Sequence, residues 1–203
     1  ILFGVLSIIV AALIIFIQKS YKRLLAYSSI EHAGIIALGF GFGGIGAFAA
    51  VLHMIYHSLA KSILFLSAGN IFLKYSTTKI AKIRGVISSA PLTAIIFIIG
   101  FLAVTGIPPF GLFLTKFYIL SAGIQLHPVA AIAALIAFVL VFAGFLKHIT
   151  DMMFGEKPEE IETGDKNKWM IIPLAVLVII FIYLSLHLPE FISVLINSAA
   201  LNH

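Results

Sequence analysis

An all-α, polytopic bundle of membrane-spanning helices is the fold this sequence predicts, and three observations carry the prediction. Hydrophobic residues fill 62% of the 203 positions and charged residues only 10%, with a mean hydropathy of +1.17, far above what a soluble domain carries. Apolar runs approaching the roughly 20 residues of a spanning helix recur from one end to the other, between short polar or glycine-rich breaks. The basic residues behind the net charge of +5 sit in short clusters between those runs, as in membrane proteins, so nucleic acid is not an expected partner. With no cysteine there is no disulfide framework and no thiolate site for an iron–sulfur cluster.

Residues 1–17 form a first span. It opens inside an apolar stretch without methionine or a signal peptide, so the chain is expected to be a fragment of something longer. Gln18, Lys19, Ser20, Lys22 and Arg23 end it. Residues 24–42 form a second span carrying Glu31 and His32, and Gly39, Gly41, Gly43, Gly44 and Gly46 make the reversal that follows. A third helix covers 47–73. Residues 76–89 alternate Lys79, Lys82 and Arg84 with Ile80, Ile83 and Val86, an amphipathic pattern suited to lying flat at the interface.

Pro91 opens the next helix, 92–104, which must break where Gly106, Pro108, Pro109 and Gly111 forbid regular helix. Helical pattern resumes over 110–123 and again over 129–145. Residues 151–168 make a polar loop before the last span, 169–186, where Trp169 can anchor at the headgroups; the tail after Pro189 reads as a surface helix. The sum is about seven helices in one transmembrane domain over 1–203, all near the minimum spanning length. Lys19, Lys22, Arg23, Lys74, Lys79, Lys82 and Arg84 fall on one side, which the positive-inside rule makes cytoplasmic if Lys22 is a loop charge.

Ionisable groups at membrane depth are costly and persist where they pair, face a wet interior or move ions. His53, His57 and Lys61 are four apart, so they drift only about 40° per step and stay on one helical face, roughly 6 Å between neighbours. Protons can cross such gaps through water, which Tyr56 and Ser58 are placed to orient. Both histidine and lysine can load and release a proton. The same residues could merely hydrogen-bond neighbouring helices, but three on one face favour an ion path. Two histidines at i and i+4 can also hold zinc, yet neither the glutamate of an HExxH motif nor a third ligand is at hand, so no metal is expected. A haem gripped between helices would use His32 and His53.

Lys116 follows the Gly106-to-Gly111 break by a few residues, and interrupted membrane helices present free carbonyls and dipoles where ions bind. Its alternative role is to snorkel to a headgroup. Glu31 and His32 are adjacent on one helix and so point in different directions, with one expected to face the path; Glu31 could instead pair with a basic residue of a neighbouring helix. Lys22 reads either as a loop charge or as the first lysine of a chain. No nucleophile with its base stands out, so a non-catalytic subunit is expected.

Three motifs in order, Lys22-Arg-Leu-Leu-Ala-Tyr-Ser-Ser-Ile-Glu-His-Ala-Gly, His53-x3-His57-x3-Lys61 and Gly106-Ile-Pro-Pro-Phe-Gly-x4-Lys116, resemble the proton-translocating antiporter-like subunits of complex I, the Mrp antiporters and the group 4 hydrogenases. The Ser-Ile-Glu-His wording is most similar to the large ion-pumping subunit of hydrogenase-4 and formate hydrogenlyase complexes. The resemblance covers nearly the whole chain. It implies a fold of two inverted five-helix repeats, each with a broken helix, of which this chain is the second with flanking helices. It further implies a hydrophilic axis at Lys22, His53, His57, Lys61 and Lys116, supported by Glu31 and His32. Residence as a multi-pass protein of the cytoplasmic (inner) membrane follows, with other membrane subunits of a hydrogenase or complex I-like assembly and the lipid bilayer as partners. The cargo is H+, with Na+ as the alternative, and no cofactor is expected. A stand-alone Mrp-type antiporter subunit and a haem-binding membrane anchor are the competing readings.

Overall fold

The computed structural model describes residues 1–165, 167–190 and 194. Among them are eight α-helices: α1 (Leu2–Ile17), α2 (Tyr21–Phe42), α3 (Ile45–Tyr75), α4 (Val86–Ser89), α5 (Pro91–Thr105), α6 (Gly111–Leu126), α7 (Pro128–Phe154) and α8 (Ile171–Leu186). A membrane core cannot hydrogen-bond a bare backbone, and helices satisfy their own amides and carbonyls. The helices α2, α3 and α7, of 22, 31 and 27 residues, are long and apolar enough to cross a membrane; α1, α5, α6 and α8 are apolar but shorter. The expectation that every span sits near the minimum length is therefore corrected. At about 1.5 Å per residue, α3 alone reaches roughly 46 Å.

That length lets α3 serve two partners. Read along it, Gly46 faces Ala122, His53 bonds Thr115, the Tyr56 ring lies against Gly111, Ile63 and Leu64 flank Gly100, and the Tyr75 hydroxyl bonds Ser89. The partner positions fall steadily from 122 to 89, so α6 and α5 run antiparallel to α3 and stack end to end as one discontinuous helix. The break is where Gly106, Pro108, Pro109 and Gly111 predict it. Gly106 closes α5 with φ +80, and a Cβ there would stand 3.0 Å from the Lys116 side chain that runs past it.

Three boundaries differ from expectation. The second span starts at Tyr21, which puts Lys22 and Arg23 in its first turn rather than in a loop. The helix α7 continues well beyond 145 into the predicted polar loop because Ile149, Met152 and Met153 still face the core. Residues 76–89 form no single continuous segment. They fold as a 3-10 turn at Ile80–Lys82 followed by α4, with Ile83 and Val86 buried, and are tied to the start of α2 by Tyr21 N–H to Thr78 O and Ile80 N–H to Lys19 O. The tail expected to form a surface helix lies, from 191 onward and Val194 apart, outside the described residues.

The surface is apolar where a soluble protein's is polar: Leu2, Phe3, Val129, Ile179 and Leu186 are exposed, while Glu31, His32 and His53 are wholly buried. Lys19, Lys22, Arg23, Lys74, Lys79, Lys82, Arg84 and Lys157 gather at one end. There Lys74 donates to the Gly164 carbonyl at 2.7 Å, and the Asp165 carboxylate accepts the Leu92 and Thr93 amides that open α5. The opposite end carries the Gly43–Gly44 reversal and the stacked Phe42 and His127 rings.

Candidate functional site

Where α2, α3 and α6 meet at the level of the broken helix, the polar interior collects. The sequence explains why a cation settles there. In a continuous helix the carbonyls of Val104 and Thr105 would accept the amides of residues 108 and 109, but both are prolines and carry no N–H. Lys116, on the far side of the break, donates to these two carbonyls at 3.3 and 3.4 Å. Its ammonium also lies 3.2 Å from Glu31 Oε1 and 4.9 Å from the Phe138 ring centroid. Lysine, carboxylate and freed carbonyls form one desolvated cation site, with Lys116 only 7% exposed. Lys116 does not snorkel to a headgroup.

From Glu31 the cluster continues to the histidines. Glu31 Oε2 stands 3.9 Å from His32 Nε2, His32 Nδ1 is 2.8 Å from His53 Nε2, and His53 Nδ1 is 2.7 Å from Thr115 Oγ1. His57 stacks on His32 with ring centroids 4.5 Å apart. Glu31 and His32 point in different directions and both reach the buried interior, Glu31 in the ion pair with a neighbouring helix that is its alternative reading. Their directions, about 100° apart on α2, open respectively onto α6 and α3.

Lys61 lies one turn beyond His57 on α3. It is 6% exposed and donates to the Leu25 carbonyl at 2.7 Å and to the Ser28 hydroxyl. No hydrogen bond joins it to His57. Lys22 stands apart from the cluster, its ammonium 3.9 Å over the Phe72 ring at the basic end. Tyr56 and Ser58, expected to orient water, are engaged otherwise: the Tyr56 hydroxyl donates to the Leu184 carbonyl at 2.8 Å, and Ser58 donates to Met54 within its own helix. Thr115 and Ser28 are the members that sequence reasoning missed. Ser28 lies inside the Tyr-Ser-Ser motif, and Thr115 adjoins Lys116, but uncharged hydroxyls carry no signal in an apolar run.

The arrangement does not fit a haem. Two iron–nitrogen bonds of about 2 Å each need roughly 4 Å between ligating nitrogens, whereas His32 and His53 bond each other directly. Among the described residues no set of His, Cys, Asp or Glu converges as metal ligands do; here the rings stack instead. What the geometry can do is hold, share and pass protons among groups a few ångströms apart.

Comparison with known proteins agrees with this architecture. Residues 1–142 match the family described as NADH:quinone oxidoreductase/Mrp antiporter, TM. The chain is 38% identical over 154 residues to a hydrogenase-4 component F homolog of Methylacidiphilum infernorum (isolate V4), covering 75% of this chain and 32% of that one. It is 33% identical over 186 residues to NADH-quinone oxidoreductase subunit M of Rickettsia felis, covering 90% and 38%. The fold superposes on a chain of the membrane-bound sulfane sulfur reductase, an archaeal respiratory membrane complex, with a TM-score of 0.86, 28% identity and coverage of 97% and 40%. The chain thus spans about a third of the length of the curated relatives it matches. On the match over most of its residues, with the broken helix and buried cluster in place, the chain belongs to the antiporter-like membrane-subunit family of NADH:quinone oxidoreductases and Mrp antiporters.

Proposed function

We propose that this chain carries protons across the membrane through Lys61, His57, His32, His53, Glu31 and Lys116, as part of a subunit of a redox-driven hydrogenase or complex I-like assembly. The observation that supports this reading most is the Lys116–Glu31 pair at the helix break, in hydrogen-bond reach of the freed carbonyls and continuous with the histidines. Moving one charge against 100 mV takes about 2.3 kcal/mol. Lys22, set apart over Phe72, is left out of the path. Electron transfer and its cofactors belong to other chains of the assembly, and Na+ is the alternative cargo.

With Lys22 set aside, Lys19, Lys79, Lys82 and Arg84 still lie outside the long helices at the bundle's basic end, which the positive-inside rule reads as cytoplasmic. The test is proton translocation by the complete complex in sealed vesicles: Lys116→Ala is expected to abolish it, and a parental rate in that variant overturns the reading. The same groups would serve a stand-alone Mrp-type antiporter subunit, and purification with or without hydrogenase subunits separates the two.

A further inference from the structure

Hydrogen-bond direction can be followed through the cluster from one fixed end. Thr115 donates its hydroxyl to the Leu112 carbonyl one turn back in α6, at 3.1 Å. A hydroxyl has a single proton, so at its 2.7 Å contact with His53 Nδ1 the threonine oxygen is the acceptor and Nδ1 carries the hydrogen. His53 Nε2 is then the lone-pair nitrogen of a neutral ring. At 2.8 Å from His32 Nδ1, it accepts that atom's hydrogen, which leaves His32 Nε2 as a second lone pair. This nitrogen faces Glu31 Oε2 at 3.9 Å, and among the described residues neither atom has a hydrogen-bond partner although both residues are wholly buried. Two facing acceptors with no proton between them stand beyond hydrogen-bond distance, as observed. Were the Thr115 hydroxyl turned to donate to His53, every direction would reverse and His32 would present an N–H to Glu31.

We propose that Thr115 is a positioning residue that fixes His53 and His32 as their Nδ1–H tautomers and so reserves the space between His32 Nε2 and Glu31 Oε2 for an arriving proton. Its use in transport rests on the proton-path reading above; the tautomer order does not. In the transport step a proton leaves the Lys116 ammonium, which becomes the neutral amine. The Glu31 carboxylate takes it up and passes it to His32 Nε2, making an imidazolium whose Nδ1–H still points at His53. Charge and protons balance, and no other reactant takes part.

The test is the ring-nitrogen chemical shifts of 15N-histidine-labelled protein in lipid bilayers at about pH 8, above the ordinary histidine range. The His53 and His32 signals are assigned by their loss in His53→Asn and His32→Asn. Both rings are expected as Nδ1–H tautomers in the parent and in Thr115→Ser, which keeps the hydroxyl, while Thr115→Val, which cannot accept a hydrogen bond, moves His53 to the Nε2–H form. An Nε2–H ring at His53 in the parent overturns the proposal, as does a Thr115→Val spectrum identical to the parent's. If Thr115→Val does not fold, the parental and Thr115→Ser spectra decide alone. Translocation is scored separately: a parental rate in Lys116→Ala removes the path and leaves the tautomer order standing.

Discussion

Glu31 and Lys116, 85 positions apart in the sequence, stand 3.2 Å apart as a buried ion pair between α2 and the second half of the broken helix. Breaking such a pair by removing one charge leaves the other uncompensated, at a cost of about 3–5 kcal/mol. Glu31→Gln is therefore expected to lower the unfolding temperature in detergent and to stop proton translocation in vesicles. A parental melting curve would show that Lys116 is held by the carbonyls alone.

Replacing both prolines of the break restores the missing donors. In Pro108→Ala/Pro109→Ala the amides at 108 and 109 compete with Lys116 for the Val104 and Thr105 carbonyls. Hydrogen bonds to charged groups contribute about 1.5–3 kcal/mol, so translocation is expected to fall by about tenfold or more. Vesicle acidification assays read this directly.

Lys61 and Lys22, the other two lysines expected on the axis, separate by position. Lys61→Gln removes the ammonium from the Leu25 and Ser28 contacts beside the histidines and is expected to abolish translocation. Lys22→Gln, at the basic end over Phe72, is expected to leave the rate within about twofold, the range of changes away from buried networks. Equal losses in both would return Lys22 to the path.

Gly111 opens α6 against the Tyr56 ring, and a Cβ there would lie 2.5 Å from Cε2 and Cζ of that ring. Gly111→Ala is expected to cost about 1–3 kcal/mol by overpacking, measured by thermal unfolding. The second substitution Tyr56→Leu should recover part of that loss, since contacting positions do not add.

Asp165 caps a helix more than 70 positions upstream, accepting the Leu92 and Thr93 amides at 3.0 and 3.1 Å. Asp165→Ala is expected to destabilise by about 1 kcal/mol and to raise protease sensitivity of the loop at 155–165. Translocation should survive, because the cap lies at the basic end, away from the cluster.

Much of the fold was legible because bilayer physics writes it in composition. Apolar runs, the Gly43–Gly44 reversal, the prolines at 91, 108 and 109 and the charged loops each act locally, and each marks its element within a few residues. The misread boundaries share one cause. Lys22 and Asp151 look like loop composition, and the basic residues of 76–89 like the wet face of an interfacial segment, but neighbouring Ile83, Val86, Met152 and Met153 fill space between helices, and a contact across the bundle leaves no mark on a window of sequence.

The sequence by itself determined that protonatable residues sit inside apolar helices, that His53, His57 and Lys61 share a face, and that the helix before Lys116 must break. All of these follow from local sterics and helical spacing. Only the tertiary structure decided which groups meet. It set Glu31 on Lys116, His32 on His53, Thr115 at the end of the histidine pair and Lys22 at the rim. The reason is that those relationships depend on the relative depth of three packed helices, and a shift of one turn, about 5.4 Å, would exchange every partner without altering a single helical pattern.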